Sequence, residues 1–269
     1  MPKTKVGDIN MYYEVHGKGE PLVMVTGAGA SMDMGAPAII PVYSPEYQVV
    51  LFDNRGAGKS DAPDIPYTTG MMADDLAGLL DVIGIKSAHI CGTSMGGMIT
   101  QQFALRYPKR VRSLILQSTY CGGPNSILPE ETIRLSMGLK IAPDELARRI
   151  IEISITPEFK EKNPVLIQQI ISVMNTALAP SVGMMRQGQA VKSHNTYKQL
   201  PKIKTPTLVI HGDADRTLPV ENSRIIASRI PGADLVILEN AGHLLIEAGD
   251  EPNRIILDFL QRHRKSGKG

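Results

Sequence analysis

The fold of this 269-residue chain can be read outward from one stretch, Ala88-His89-Ile90-Cys91-Gly92-Thr93-Ser94-Met95-Gly96-Gly97. Its first four residues form a short apolar run, which is typical of a strand buried on both faces. Residues 98–107 continue the stretch with a helical pattern that stops before Pro108. Because glycines flank the turn, the backbone can bend sharply there. The stretch therefore predicts a strand, a tight turn with Ser94 at its apex, and a helix.

Short apolar runs of the same kind recur along the chain and predict further buried strands at residues 22–25, 49–52, 114–116, 208–210 and 235–238. Residues 5–16 alternate apolar and polar side chains around Gly7-Asp8, which indicates a β-hairpin. Helical patterns separate the apolar runs, for example over residues 71–83, 221–230 and 252–263. This alternation predicts an α/β fold with a doubly wound, mainly parallel sheet.

One long segment, residues 122–200, interrupts the alternation of strands and helices. It contains helical patterns at residues 143–153 and 164–178, and no convincing strand pattern. Because it lies between two predicted sheet strands, we expect it to be a helical cap inserted into the fold. Residues 1–121 and 201–269 would then form the core of the molecule.

Composition excludes several classes of function. The net charge of +2, from 29 basic and 27 acidic residues, gives no electrostatic bias toward nucleic acid or an anionic membrane. No apolar run reaches the ~18 residues that span a bilayer, and no leader pattern is visible, so we expect a cytoplasmic protein. The two cysteines do not make a disulfide framework, and no metal-ligand spacing occurs. We expect no metal and no cofactor, and composition leaves the oligomeric state unknown.

Ser94 is the candidate nucleophile. A tight strand-to-helix turn lifts the serine hydroxyl clear of the sheet, which is the arrangement called a nucleophile elbow. The N–H group of Met95 would then lie at a helix N-terminus, where it can stabilise a developing oxyanion. The alternative interpretation is a plain glycine-rich turn with a capping serine.

A serine needs a general base, and His243 is the candidate. It lies in the loop after the last apolar run, at the carboxyl edge of the sheet that also carries Ser94. The loop of residues 212–219 offers two candidates for the acid that orients the histidine. Asp213 directly follows the strand and would brace the turn through Asx-type bonds. Asp215 lies further out and is the better candidate to reach His243.

The loop after the first parallel strand supplies the remaining candidates around Ser94. Residues 26–31 are rich in glycine and can turn a backbone N–H inward. We assign the second oxyanion donor, beside Met95, to the N–H of Ala28. Gly27 is a candidate contact of the substrate. A simple tight turn would explain the same glycines, and the two interpretations are compatible.

With these residues, the chain resembles the α/β-hydrolase superfamily over nearly its whole length. The segments that carry the resemblance are residues 26–30, 53–60 and 92–97, together with Asp215 and Gly242-His243. Ser94-Met95-Gly96-Gly97-Met98 and the following residues 104–111 are similar to carboxylesterases and 3-oxoadipate enol-lactonase-like members. The resemblance implies an eight-stranded, mostly parallel sheet with a helical cap between the sixth and seventh strands.

Positions at which this sequence differs from the family pattern reduce the number of reactions to be expected. Thr26-Gly27 stands where many members have His-Gly, and the chain has no tryptophan. Dehalogenases and epoxide hydrolases require an aspartate at the position of Ser94. The expected function is a carboxylesterase that acts on a small-molecule ester or lactone through an acyl-enzyme. Lactone hydrolysis, C–C bond hydrolysis and perhydrolysis on the same triad remain alternatives, and so does a non-catalytic ligand receptor on the same fold.

Two further features of the sequence bear on ligands. Met184 and Met185 are adjacent in the insertion and are candidates to line the substrate site, although packing within the cap also explains them. Gly56-Ala57-Gly58-Lys59-Ser60 ends like a phosphate-binding loop. Asp53 stands where such a loop needs its first glycine, so we expect residues 53–56 to be architectural.

Overall fold

The computed structural model describes residues 3–138, 141–179 and 181–264. Its strands are β1 (Lys3–Val6), β2 (Ile9–His16), β3 (Glu20–Val25), β4 (Tyr47–Phe52), β5 (Ala88–Thr93), β6 (Val111–Gln117), β7 (Thr207–Gly212) and β8 (Asp234–Leu238). They form one sheet in the order β1-β2-β4-β3-β5-β6-β7-β8. Strands β1, β2 and β4 pair in antiparallel fashion, and the other pairs are parallel. The predicted fold class and the N-terminal hairpin are confirmed.

The apolar runs form the centre of this sheet, as expected for parallel strands covered on both faces. Every residue of β7 is buried, and so are the first five residues of β5. Strand β8 differs from the prediction of a fully buried strand. It is the edge strand of the sheet, so Leu235 is exposed although its sequence is apolar.

Helices cover both faces of the sheet. They are α1 (Ala36–Tyr43), α2 (Thr69–Val82), α3 (Met95–Arg106), α4 (Glu130–Ser136), α5 (Pro143–Ser154), α6 (Pro157–Lys162), α7 (Pro164–Ala177), α8 (Ser181–Ser193), α9 (Glu221–Arg229) and α10 (Glu251–Arg262). Leu76 of α2 and Phe103 of α3 belong to the apolar core on one face, and Tyr43 of α1 and Phe259 of α10 to the core on the other. Within the described residues, no helix is long and apolar enough to cross a membrane.

Helices α4 to α8 lie between β6 and β7 and have apolar clusters of their own. One cluster centres on Ile151 of α5 and Ile171 of α7. Helix α8 connects these helices to the rest of the molecule: its Arg186 pairs with Asp64, and its Gly183 lies against Gly56. The segment is therefore held at the carboxyl edge of the parallel strands, where β5 and β7 end.

Candidate active site

Ser94 occupies a strained turn between β5 and α3. Its φ of 56° and ψ of −121° lie in a region that non-glycine residues rarely adopt. The turn can be this tight because Gly92 and Gly96 have no side chains. A Cβ atom at Gly96 would overlap the carbonyl oxygen of Val25, and one at Gly92 would overlap that of Gly96. The expected strand-turn-helix geometry is therefore present, and the Ser94 side chain is only half-buried.

Hydrogen bonds to the next strand hold this conformation. The Ser94 N–H donates to the carbonyl of Gln117, at the end of β6, over 2.9 Å. The Ser94 carbonyl accepts from the Thr119 hydroxyl over 2.7 Å and from the Gly97 N–H over 2.9 Å. Strain at Ser94 thus persists because both of its peptide groups are fixed by neighbours.

The loop after β3 lies directly beside the Ser94 side chain. A Cβ atom at Gly27 would stand 3.3 Å from the Cβ atom of Ser94, so the two residues are in contact. Within the described residues, neither the Ala28 N–H nor the Met95 N–H has a hydrogen-bond partner. Both are therefore available to a ligand atom, whereas the N–H of Gly29 is occupied by the side chain of Gln187.

Asp215, in the loop after β7, contacts His243, in the loop after β8. The Nδ1 atom of His243 donates to Asp215 Oδ2 over 2.7 Å. A carboxylate only accepts, so Nδ1 carries a hydrogen; in the neutral form of this ring, Nε2 has the lone pair that can act as a base. The second carboxylate oxygen, Oδ1, accepts from the N–H groups of Thr217 and Leu218, each over 2.8 Å.

The environment of Asp215 favours its charged form. Burial opposes ionisation of the carboxyl, but His243 and His211 beside it outweigh that effect and lower the pKa of Asp215 to about 2. The carboxylate is fully ionised at neutral pH. It can therefore hold the His243 ring in one orientation and stabilise a positive charge on it.

Asp213 has a different position from the one expected. Its Oδ1 accepts from the N–H of Asn240 over 2.7 Å, across to the loop that carries His243. The expectation of Asx-type bonds within its own turn was wrong, because β8 lies beside β7 and brings this second loop into reach. Asp213 is exposed and joins the two loops, while Asp215 contacts the histidine.

The turn between α5 and α6 binds the histidine loop. The N–H of His243 donates to the carbonyl of Ser154 over 2.8 Å. The N–H of Thr156 donates to Glu247 Oε1, also over 2.8 Å. The segment over the sheet edge is thus fastened directly to the loop that carries the candidate base.

Helix α8 holds the loop with the candidate oxyanion donor. Gln187 is fully buried; its amide oxygen accepts from the Gly29 N–H over 2.7 Å, and its amide nitrogen donates to the Arg55 carbonyl over 2.8 Å. Met184 is also buried, and its terminal methyl carbon would lie 3.1 Å from a Cβ atom added to Gly29. Met185 is half-buried on the same helix.

Gln187, Ser154 and His211 were not identified from the sequence as parts of the site. Gln187 and Ser154 contact residues more than 80 positions away in the sequence. Contacts of this kind leave no local sequence pattern from which they could be predicted. His211 had a weak local signal, since it precedes Gly212 and Asp213 at the end of an apolar strand.

The residues that resemble a phosphate loop have an architectural role, as expected. The two carboxylate oxygens of Asp53 accept from the N–H groups of Met32 and Lys59, each over 2.7 Å. Arg55 forms a buried ion pair with Asp75. In the described part of the chain, no group of three or more His, Cys, Asp or Glu side chains is arranged to hold a metal ion.

Comparisons with known proteins identify the family of the chain, and the relatives named below match more than nine-tenths of it. A family model described as the alpha/beta hydrolase fold matches residues 20–149. A poly(3-hydroxyalkanoate) depolymerase of Ectopseudomonas oleovorans is 31% identical over 91% of this chain and 86% of that protein. A 2-hydroxy-6-oxo-6-phenylhexa-2,4-dienoate hydrolase of Comamonas testosteroni is 30% identical over 96% of this chain and 93% of its own length. The enol-lactonase of Burkholderia xenovorans LB400 superposes with a TM-score of 0.85 at 27% identity, covering 97% of this chain and all of the lactonase.

Proposed function

Because the chain belongs to the α/β-hydrolase family, we propose that it is a serine hydrolase that cleaves a carboxylic ester through an acyl-enzyme. The observation that carries the proposal is the 2.7 Å hydrogen bond between His243 Nδ1 and Asp215 Oδ2 at the sheet edge that also presents Ser94. A buried carboxylate that orients an imidazole, at the same sheet edge as a strained serine, supports acyl transfer over mere binding of a ligand.

The proposed reaction assigns a role to each of these groups. Nε2 of His243 takes the proton of the Ser94 hydroxyl while Ser94 Oγ attacks the carbonyl carbon. The N–H groups of Ala28 and Met95 stabilise the negative charge that develops on the carbonyl oxygen. The imidazolium gives its proton to the departing alcohol, and water activated by the same histidine then releases the acid. Asp215 stabilises the imidazolium in both steps.

Residues 122–200 act in this proposal as a cap that selects the substrate. Met184 connects the turn that carries Ala28 with an aliphatic cluster that includes Leu135, Leu146 and Ala179. An aliphatic wall favours a small or medium uncharged acyl group, since it offers no partner to a charged one.

A lactone is the second candidate substrate, and it is favoured by the structural similarity to the enol-lactonase over 97% of this chain and all of the lactonase. The same triad opens a lactone, the only difference being that the alcohol stays attached to the acyl group. The experiment is a hydrolysis screen with p-nitrophenyl esters of increasing chain length and a panel of lactones, with Ser94→Ala as control. We expect turnover that the control lacks. Turnover of neither class, or equal turnover by the control, would reject the proposal.

A further inference from the structure

His211 is a buried histidine that the proposed steps do not use. It lies near the end of β7 and is fully buried. Its Nε2 atom lies 2.9 Å from Asp215 Oδ2 and 2.7 Å from the carbonyl oxygen of Leu218. Its Nδ1 atom lies 2.5 Å from the hydroxyl of Ser223, on α9. Asp215 Oδ2 is therefore shared by two histidines, His211 and His243.

The partners of the His211 ring determine where its hydrogen lies. The Leu218 carbonyl and the Asp215 carboxylate only accept, so Nε2 must carry the hydrogen and donate it to both. In the neutral ring, Nδ1 then has a lone pair, which accepts from the Ser223 hydroxyl. Ser223 is itself fully buried, so its hydrogen bond with His211 is not exchanged with solvent. The two acceptors at Nε2 thus fix the tautomer in which His211 donates toward Asp215, and Ser223 holds the other ring nitrogen in place.

We propose that His211 and Ser223 are positioning residues that hold the Asp215 carboxylate in the orientation in which it accepts from His243. This inference rests on the proposed function, because it assigns the pair a role in the same triad. In the part of the chain that the structure describes, Oδ1 of Asp215 is held only by N–H groups of its own loop, those of Thr217 and Leu218. The hydrogen bond from His211 ties the carboxylate to the rigid sheet instead, and it stabilises the charge on Oδ2.

A second histidine on the sheet provides a matched control. His89 on β5 is also fully buried; its Nδ1 lies 2.8 Å from the Ser113 hydroxyl, and its Nε2 lies 3.3 Å from a carboxylate oxygen of Glu20. His89 thus has the same kinds of partner as His211, a serine and a carboxylate. It lies near the start of β5, whereas Ser94 follows the end of this strand. His89→Leu removes a comparable buried histidine without touching the acid of the triad.

The test compares His211→Leu, His211→Gln and His89→Leu by steady-state kinetics. Loss of one hydrogen bond to a charged group predicts a fall of roughly 10- to 100-fold in kcat for His211→Leu. KM changes little, because His211 is placed to contact Asp215 rather than substrate. His211→Gln keeps a donor near the position of Nε2 and should recover most of kcat. His89→Leu should lower the melting temperature and leave kcat unchanged.

Ser223→Ala keeps the imidazole in place and tests the same proposal if His211→Leu does not fold. We expect kcat to fall by a smaller factor in this variant, again at nearly constant KM. Wild-type kcat in His211→Leu, a Gln variant no better than the Leu variant, or, where the Leu variant does not fold, wild-type kcat in Ser223→Ala would overturn the proposal.

A readout that needs no turnover separates this inference from the proposed function. In a Ser94→Ala background, the carboxyl of ¹³C-labelled Asp215 is titrated by NMR with and without His211→Leu. The pKa of Asp215, lowered to about 2 in the intact protein, should rise in the Leu variant because a donor to its charged form is lost. An unchanged titration would contradict the inference, whereas turnover by Ser94→Ala alone would reject only the proposed function.

The other charged groups near Asp215 are the same with and without His211→Leu. His243 faces the carboxylate from the loop after β8. Arg216, next in sequence, turns its guanidinium to the carbonyl oxygens of Glu152 and Ile155 at the end of α5. Asp213 is bound to Asn240. Because none of these groups changes, a shift in the titration of Asp215 reports the loss of His211.

Discussion

At the scale of single residues, backbone strain at Ser94 sets the position of the proposed nucleophile. A non-glycine residue in this conformation costs roughly 1–3 kcal/mol of stability, which the surrounding hydrogen bonds must offset. The function of such strain is positional: a relaxed turn would carry the hydroxyl back into the plane of the sheet, away from Ala28 and Met95.

This strain can be measured by comparing Ser94→Gly with Ser94→Ala. Alanine keeps the Cβ atom and therefore the strain, whereas glycine adopts a φ of 56° without it. We expect both variants to be inactive and the glycine variant to be more stable by about 1 kcal/mol, after allowing for the greater entropy of unfolded glycine. Urea unfolding measures the difference. An alanine variant equal to or more stable than the glycine variant would show that the turn is not strained.

The two aspartates of the 212–219 loop have separable roles at this scale. In Asp215→Asn, the side-chain amide would offer a donor to His243 Nδ1 and force the hydrogen to Nε2, which removes the base. We expect turnover to fall by ~10⁴. In Asp213→Asn the bond to Asn240 is weakened at the surface, so stability falls slightly and kcat is retained. The reverse pattern in kinetics and thermal unfolding would show that Asp213 is the acid.

Close approach of helix α8 to the core is the main feature at the scale of elements. A Cβ atom at Gly183 would overlap the carbonyl of Gly56, and one at Gly188 would overlap Met137. The glycines therefore let the helix pack against the core and against α4. This contact brings Gln187 to the loop that carries Ala28.

Replacement of Gln187 tests whether α8 supports the candidate oxyanion loop. Gln187→Leu preserves the approximate volume and leaves the Gly29 N–H and the Arg55 carbonyl unpaired in a buried place. Each unpaired group costs about 1–3 kcal/mol, and the loop beside Ser94 loses its anchor. We expect a lower melting temperature together with a reduced kcat. Gln189→Leu, on the same helix, is the control; equal effects of the two variants would contradict a specific role of Gln187.

Elements with clear periodicity were predictable from the sequence, and elements defined by contact were not. The apolar runs of the central strands and the helical periodicity of α2, α3, α9 and α10 are visible in the sequence itself. Helix α1 was not predicted because Pro37 and Pro41 interrupt its pattern. Helix α8 was not predicted because Gly183 and Gly188 lower helix propensity, although packing requires them. For the same reason the sequence indicated Ser94, Asp215 and His243 but not the partners that other segments supply.

At the scale of the whole molecule, the segment over the sheet edge is joined to both sides of the candidate site. Its α5–α6 turn binds the loop of His243, and its α8 binds the loop of Ala28. Selection of substrate and positioning of the reacting groups are therefore expected to depend on the same segment.

The proposed cap function predicts a change of specificity at Met184. Met184→Ala removes a buried side chain that packs against Gly29 and opens space beside the candidate oxyanion loop. We expect the preferred p-nitrophenyl ester to become longer, while Met185→Ala, at a half-buried position, has a smaller effect. Profiles of kcat/KM against acyl chain length measure this. Unchanged profiles in both variants would show that these methionines do not select the acyl group.

Covalent labelling tests the role of Ser94 most directly. A fluorophosphonate reacts with a serine only when a base activates it and N–H groups stabilise the adduct, so the reagent probes Ser94, His243 and the two donors together. We predict that peptide mass spectrometry locates the adduct at Ser94, and that Ser94→Ala and His243→Ala each abolish it. Labelling of Ser31 or Ser118 instead, or the absence of any labelled serine in the folded protein, would contradict the assignment of Ser94 as the nucleophile.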